Sequence, residues 1–242
     1  EKMIADISQT KKAVAVVNGT AGLQIALQLA GVQRGDEVIT QGLTFVATAN
    51  AIHYIGAEPV FLDVDYDTMG LSPRSVSEFL EEFGERRETG TYNKKSGKKI
   101  SACVPMHTFG FPVHLEALLR VCEEWNIPIV EDAAESLGSE YKGKPTGSFG
   151  QLGVFSFNGN KIVTCGGGGA IVFQQATTPT NVVPVLSGGN PGTILHTGPA
   201  CAGSSFGAQA GAAGQLVFNY APPAPGTPPN LGQDTLICAG TA

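Results

Sequence analysis

Hydrophobic and polar positions alternate along the first 173 residues between short apolar runs and segments with helical spacing. Apolar runs typical of buried strands lie at 13–17, 37–40, 59–62, 100–104, 127–132, 153–157 and 168–173. Helical spacing separates several of them, at 21–29, 46–54, 72–83 and 115–125. Strands that alternate with helices are the signature of a mostly parallel sheet covered by helices. The pattern therefore predicts an α/β fold.

The segment 72–83 carries the clearest helix signal in the chain. Ser72 supplies a hydroxyl suited to cap the helix, and Pro73 stands at the first helical position. Apolar residues then recur three and four positions apart, at Val76, Phe79, Leu80 and Phe83. Such a stripe predicts a helix with one buried face. By contrast, residues 85–99 are mostly polar and are predicted to form a loop.

The last part of the chain, residues 174–242, differs sharply in composition from residues 1–173. It contains no Lys or Arg, a single acidic residue (Asp234), 11 Gly and 9 Pro. Such a sequence offers few amphipathic stripes to offset the entropy of ordering, so we expect a mostly irregular tail. One interpretation is a frameshifted or mis-joined sequence. The other is a Gly/Pro-rich linker with short extended strands such as 216–220, in which 182–186 and 236–238 could cover a sheet edge.

Composition and charge exclude several classes of function. A net charge of -6 and a pI near 5.2 argue against a nucleic-acid surface, which needs clustered Lys and Arg. No apolar run reaches the length of a membrane helix, so no membrane partner is expected. The five cysteines show no C-x-x-C spacing. Without that motif, neither a metal site nor a disulfide framework is predicted, and localisation in the reducing cytoplasm is favoured.

Candidate chemistry centres on a lysine and an aspartate that each follow an apolar strand. Lys161 follows the strand at 153–157 and precedes the glycine run 166–169, and Asp132 ends the strand at 127–132. A lysine held at a strand end and shielded from water is suited to form a Schiff base. Pyridoxal phosphate (PLP) enzymes need such a lysine, an acid for the pyridinium nitrogen and donors for the phosphate. The two residues together predict one pocket.

A phosphate site is predicted where the first strand turns into a helix. Gly19 and Thr20 lie at that turn, so free N–H groups and the positive end of the helix dipole point out of the sheet edge. Farther along, Phe45 follows the strand at 37–40, where its ring could stack on a flat cofactor. Each feature alone has a plainer interpretation: an ordinary turn, a helix cap at Asp132 or a surface lysine at Lys161. Their order and spacing favour a joint site.

Five blocks of sequence together resemble the DegT/DnrJ/EryC1/StrS sugar aminotransferases. These blocks lie at 18–23, 44–48, 105–110, 131–138 and 156–161. The last two are most similar to the branch that aminates C4 of nucleotide-linked 4-keto-6-deoxy-N-acetylhexosamines, of the legionaminic acid and bacillosamine type. The resemblance covers residues 1–173. It implies the large domain of the PLP-dependent transferase fold type I, with a mostly parallel sheet flanked by helices.

The resemblance also implies roles for individual residues around the cofactor. Lys161 would form the Schiff base with PLP, and Asp132 would pair with the pyridinium nitrogen and keep the ring an electron sink. Phe45 would stack on the ring. Glu135 would lie near the phenolic oxygen, although many relatives carry Gln or His there.

Three further residues would bind the cofactor phosphate by the same resemblance: Thr20, Ala21 and Ser156. His107 falls within one of the blocks that resemble the family, but no chemical step is assigned to it, and a structural role is expected. No Gly-rich motif of the P-loop or Rossmann type occurs in the chain.

The function implied is transfer of an amino group from glutamate to a nucleotide-linked 4-keto-6-deoxysugar, in the synthesis of surface polysaccharide or glycan precursors. Family members form homodimers and continue beyond both ends of the matching region, into a small domain on the C-terminal side. The alternative is therefore a truncated, catalytically inactive or regulatory binding module that keeps the PLP fold. The related sugar dehydratases are disfavoured, because they carry His where Lys161 stands.

Overall fold

The computed structural model describes residues 1–174 and two later strands, at 207–211 and 215–219. The chain divides into two compact units, Glu1–Asn181 and Val182–Ala242. The helices of the first unit are α1 (Lys2–Ile7), α2 (Gly19–Leu29), α3 (Val46–Tyr54), α4 (Pro73–Phe83) and α5 (Leu115–Glu124), with a 3-10 turn at Thr108–Gly110. Among the described residues, no helix is long and apolar enough to span a bilayer.

The strands of the first unit follow the predicted apolar runs and add two hairpins. In chain order they are β1 (Lys12–Val16), β2 (Glu37–Gln41), β3 (Glu58–Leu62), β4 (Gly84–Arg87), β5 (Gly90–Asn93), β6 (Lys99–Val104), β7 (Val130–Asp132), β8 (Glu140–Tyr141), β9 (Lys144–Pro145), β10 (Leu152–Ser156) and β11 (Gly169–Phe173). The α/β prediction is confirmed.

Two groups of strands join into one mostly parallel sheet. β3, β2 and β6 run parallel, as do β7 and β10, while β11 lies antiparallel between β10 and β1. Parallel bridges between Cys103 and Ile129 and between Met106 and Asp132 connect β6 to β7. The order is therefore β3-β2-β6-β7-β10-β11-β1. Among these seven strands, the carboxyl ends of all except β11 meet at one edge, where ligands bind in open α/β sheets.

The prediction of a polar loop at 85–99 is wrong, because β4 and β5 form an antiparallel hairpin there and β5 pairs with the start of β6. The side chains that anchor the hairpin are polar, so no apolar alternation marks it in the sequence. Asn93 donates to the buried carboxylate of Glu37 at 2.8 Å, and the guanidinium of Arg86 lies 4.4 Å from the Trp125 ring.

The helix termini follow the capping chemistry of the sequence. Ser72 caps α4 by accepting from the Ser75 N–H, and Pro73 begins the helix as predicted. α2 begins at Gly19, earlier than predicted, because Asn18 caps it by accepting from the Ala21 N–H. This earlier start places the N-terminus of α2 directly at the sheet edge.

The hydrophobic core is built around the helix stripes and the middle of the sheet. One cluster joins α4 and α5 to β2 and β6 and includes Ile39, Val76, Leu80, Cys103, Leu115, Leu118 and Cys122. On α2, Leu23, Ala26 and Leu27 are almost fully buried. The same helix packs closely enough that a Cβ added to Gly22 would lie 2.8 Å from Val154 Cγ1. The core thus fixes α2 against β10.

In the second unit, the described residues are the two strands of one hairpin. β12 (Gly207–Gly211) pairs antiparallel with β13 (Gln215–Asn219). The extended strand predicted at 216–220 under the linker interpretation coincides with most of β13. The edge-covering segments predicted at 182–186 and 236–238 lie outside the described residues.

Candidate active site

Asp132 ends β7 at the carboxyl edge of the sheet and is buried, with 3% of its surface exposed. The Thr48 hydroxyl donates to its Oδ2 at 2.6 Å, and the Ala134 N–H donates to its Oδ1 at 3.2 Å. Burial raises the pKa of Asp132, while these hydrogen bonds and the nearby His107 and Lys161 act to lower it. Asp132 is therefore a fixed, buried carboxylate at the predicted edge.

Lys161 lies in the loop that follows β10, and only 8% of its side chain is exposed. Its ammonium pairs with Oε1 of Glu135 at 2.9 Å and lies 5.4 Å from the centroid of the Phe45 ring. The Phe45 residue itself is 58% exposed. Glu135 and Phe45, which were predicted separately for the site and lie in different parts of the chain, thus converge on the amine of Lys161.

Glu135 is held from a second side by the backbone. Its Oε2 accepts from the Phe109 N–H at 3.2 Å, and Phe109 has a φ of 53°. A left-handed backbone is uncommon for a non-glycine residue, and such strained positions cluster at functional sites. Each carboxylate oxygen of Glu135 therefore has a separate partner, which orients the Oε1 atom toward Lys161.

The N-terminus of α2 approaches the end of β10 closely. A Cβ added to Gly19 would lie 2.9 Å from Ser156 Cβ and 3.3 Å from Ser156 Oγ. Neither the Thr20 hydroxyl nor the Ser156 hydroxyl donates a hydrogen bond to any residue that the structure describes. The Ser156 Oγ accepts from the Asn158 N–H at 3.5 Å, so its proton, like that of Thr20, is available to an anion in a cradle at the helix N-terminus. The structure places Ser156, the last residue of β10, beside Gly19, which precedes Thr20 in the chain.

The third predicted phosphate donor, Ala21, is engaged differently. Its N–H donates to Oδ1 of Asn18 at 2.8 Å as part of the α2 cap. A phosphate that accepted from Ala21 would have to share or displace the Asn18 side chain. The family resemblance assigned Ala21 to the phosphate and did not indicate that Asn18 competes for the same N–H.

Sequence analysis also missed a fully buried acid–base pair beside Asp132. His107 and Glu131 are each 0% exposed, and His107 Nε2 lies 3.0 Å from Glu131 Oε2. His107 Nδ1 accepts from the Val113 N–H at 3.4 Å, so the proton of the ring faces Glu131. The His107 backbone N–H also donates to the Asp132 carbonyl at 3.1 Å. His107 therefore holds the end of β7, which agrees with the structural role expected for it.

Glu131 anchors a turn as well as the histidine. It accepts N–H bonds from Gly147 at 2.8 Å, Phe149 at 2.6 Å and Gly150 at 2.7 Å. Burial alone would raise the pKa of Glu131, but the hydrogen bond with His107 and the N–H groups of Gly150 and Gly147 lower it below its ordinary value. Its position before Asp132 in an apolar strand was the only sequence signal.

One group of potential metal ligands is present among the described residues. His114 Nε2 lies 2.9 Å from Asp67 and 4.0 Å from Asp65. All three side chains are at least partly exposed, and the histidine already pairs with the acids. We assign no metal to this group.

The residues present fit pyridoxal phosphate. A shielded lysine, a buried strand-end carboxylate, an aromatic ring beside the amine and a glycine-lined helix N-terminus supply the contacts that the cofactor needs. Together with the sheet order, they define the large domain of a fold type I PLP-dependent enzyme.

Comparison with known proteins gives the family. The model of the DegT/DnrJ/EryC1/StrS aminotransferase family matches residues 1–189, and the chain belongs to this family. The match reaches beyond residue 173, where the resemblance seen in the sequence ended. Pyridoxal phosphate is the cofactor of this family.

Individual relatives agree with this assignment. The chain is 42% identical to the putative pyridoxal phosphate-dependent aminotransferase EpsN of Bacillus subtilis, over 71% of this chain and 42% of EpsN. It is 36% identical to GDP-perosamine synthase of Escherichia coli O157:H7, over 73% and 44% of the two chains. The crystal structure of DesI with its TDP-sugar product superposes with a TM-score of 0.62 at 36% identity, covering 73% and 40%. The chain therefore spans less than half the length of these relatives.

Proposed function

We propose that this chain carries the cofactor-binding part of an aminotransferase that moves an amino group from glutamate to a nucleotide-linked 4-keto-6-deoxysugar. The observation that carries the proposal is the convergence of Glu135 and Phe45 on the shielded Lys161 beside the buried Asp132. Two relatives support the class of substrate: one is named GDP-perosamine synthase, and the other, DesI, was solved with its TDP-sugar product. The branch that aminates C4 of 4-keto-6-deoxy-N-acetylhexosamines remains our preferred assignment from the sequence blocks.

In this proposal, bound PLP supplies an electron sink for the carbon that loses or gains a proton. Lys161 attaches the cofactor and, when free, moves a proton at its Nζ, which is shielded from water. Asp132 presents a buried carboxylate to the ring nitrogen, and Phe45 covers a face of the ring. Thr20 and Ser156 hold the phosphate at the N-terminus of α2, with Ala21 as a donor shared with Asn18.

A homodimer is part of the proposal. Large hydrophobic side chains are exposed on the loops around the site: Leu43, Phe45, Val46, Phe109, Phe111, Ile162 and Val163. These loops are neighbours, since a Cβ on Gly110 would lie 3.3 Å from Ile162 Cδ1. An exposed apolar patch of this kind suits an interface between two copies.

The test is reduction of the PLP-loaded chain with borohydride, followed by peptide mapping. We expect a pyridoxyl group on Lys161 and none on Lys142, an exposed lysine already paired with Glu116. Lys161→Ala should abolish the labelling without loss of the fold. Labelling spread over exposed lysines, or none at all in a folded sample, would contradict the assignment.

The second candidate is an inactive or regulatory module that binds the cofactor without turnover. Addition of glutamate to the PLP-loaded chain separates the two candidates. Conversion of the cofactor to its pyridoxamine form supports the enzyme, whereas a spectrum unchanged by glutamate with Lys161 labelled supports the binding module.

A further inference from the structure

The shortest hydrogen bond to Asp132 comes from a residue to which no role was assigned, Thr48 on α3. Thr48 is 1% exposed, and its Oγ1 lies 2.6 Å from Asp132 Oδ2. The two residues are 84 positions apart in the sequence. A buried hydroxyl that donates to a carboxylate forms a charge-assisted bond, which is short and roughly twice as strong as a neutral one.

Thr48 is itself bonded to a second hydroxyl, that of Thr44, which lies four residues earlier and just before α3. Thr44 Oγ1 lies 2.7 Å from Thr48 Oγ1. A hydroxyl has a single proton, and the proton of Thr48 is directed at Asp132, so Thr44 must be the donor to Thr48. The bonds therefore run in one direction, from Thr44 to Thr48 to the ionised carboxylate.

Protonation of Asp132 at Oδ2 would reverse this chain. Thr48 would then donate to Thr44, and the Thr44 proton would turn to the Phe45 carbonyl at 3.4 Å or to the Met106 sulfur at 3.1 Å. The first of these is long, and a thioether sulfur is a weak acceptor. The arrangement of acceptors thus favours the ionised form of Asp132.

We propose that Thr48, oriented by Thr44, is a positioning residue that keeps the Asp132 carboxylate ionised and in one orientation at the cofactor site. This inference rests on the function proposed above, because the value of an ionised acid lies in its pairing with a protonated ring nitrogen. Thr48 contacts Asp132, and it affects the cofactor site only through the Asp132 carboxylate.

The other groups that face Asp132 are accounted for. Burial raises the pKa of Asp132. The groups that lower it are Thr48, the Ala134 N–H, His107 and Lys161. Loss of the Thr48 hydroxyl therefore removes one of the contributions that oppose burial. The pKa of Asp132 should move upward.

The test is the carboxyl carbon-13 resonance of Asp132, followed against pH in the cofactor-free chain. The sequence contains seven Asp residues, and Asp132→Asn identifies the resonance by its disappearance. Thr48→Val removes the hydroxyl with little change in shape, Thr48→Ser retains it, and Thr89→Val serves as a control at an exposed threonine. We expect the titration midpoint to rise in Thr48→Val and to stay at the wild-type value in the other two.

Thr44→Val tests the second link without disturbing the buried position. It should raise the midpoint by less than Thr48→Val does, and this variant keeps the test decisive if Thr48→Val does not fold. Unchanged midpoints in both valine variants would overturn the inference. Since this titration uses no cofactor, its failure is distinct from failure of Lys161 labelling, which would overturn the proposed function instead.

A second readout uses the PLP-loaded chain. The pH dependence of the bound cofactor's absorption should shift in Thr48→Val and be restored in Thr48→Ser. A purely structural role would change the thermal stability of the variant without changing that pH dependence.

Discussion

The close approach of α2 to Ser156 makes Gly19→Ala a sharp test of the phosphate cradle. The added Cβ would lie 2.9 Å from Ser156 Cβ, whereas carbon atoms in contact are ordinarily about 3.5–4.0 Å apart. Overpacking of this kind typically costs about 1–3 kcal/mol. The strain is relieved by moving the helix N-terminus away from β10, which opens the cradle. If all of that cost falls on phosphate binding, affinity for PLP decreases by roughly 5- to 150-fold.

The assay is a spectroscopic titration with PLP and, in parallel, with pyridoxal, which lacks the phosphate. Gly19→Ala should weaken binding of PLP much more than binding of pyridoxal. Gly22→Ala is the matched control for stability, because its Cβ would lie 2.8 Å from Val154 Cγ1 but within the core. Gly159→Ala, with nothing within 4 Å of the added Cβ, controls for the substitution itself.

Two outcomes would refute the reasoning. If Gly19→Ala weakened PLP and pyridoxal equally, the helix N-terminus would not be the phosphate site. If Gly22→Ala lost PLP selectively to the same degree, the effect would come from a general shift of α2. Urea unfolding gives the free energy of unfolding of each of the three variants. An effect on PLP binding can then be distinguished from an effect on folding.

Three further changes test other parts of the site. Asp132→Asn should retain cofactor but lose nearly all conversion by glutamate, by stopped-flow absorbance, since a neutral amide cannot keep the ring nitrogen protonated. Glu131→Gln should cost about 3–5 kcal/mol at pH 7 in urea unfolding. The pKa of Glu131 is lowered in the folded chain, so its contribution to stability is present above its ordinary pKa and is lost as pH falls through the folded-state pKa. The difference in unfolding free energy between Glu131→Gln and wild type should therefore narrow in acid. Phe45→Ala should weaken PLP by about 0.5–1.5 kcal/mol and leave stability almost unchanged, because the ring is exposed.

The sheet and the main site residues could be predicted because their signals are local. Apolar runs mark buried strands, and the carboxyl ends of parallel strands necessarily share one edge. That geometry alone brings the ends of β7 and β10, and with them Asp132 and the Lys161 loop, to the same side. The family resemblance then assigned chemistry to the edge.

The remaining features depend on tertiary contacts that leave no periodic trace. The β4–β5 hairpin is anchored by polar groups such as Asn93 on Glu37, so its sequence resembles a loop. Thr48 meets Asp132 across 84 residues, and nothing in the sequence distinguishes it from Thr44. The competition of Asn18 for the Ala21 N–H likewise appears only once the start of α2 is known.

The neighbouring acids Glu131 and Asp132 lie at the end of the same strand, β7, but their carboxylates have different surroundings. Successive side chains of a strand point to opposite sides, so the two carboxylates enter different surroundings. Glu131 is bonded to His107 and to three N–H groups of one turn. Burial opposes its ionisation, but His107, Gly150 and Gly147 lower its pKa. Asp132 receives fewer donors, and burial raises its pKa, which leaves a carboxylate with capacity for another partner. Two acids whose surroundings move their pKa values in opposite directions have different roles, and we propose the less satisfied one, Asp132, as the partner of the cofactor.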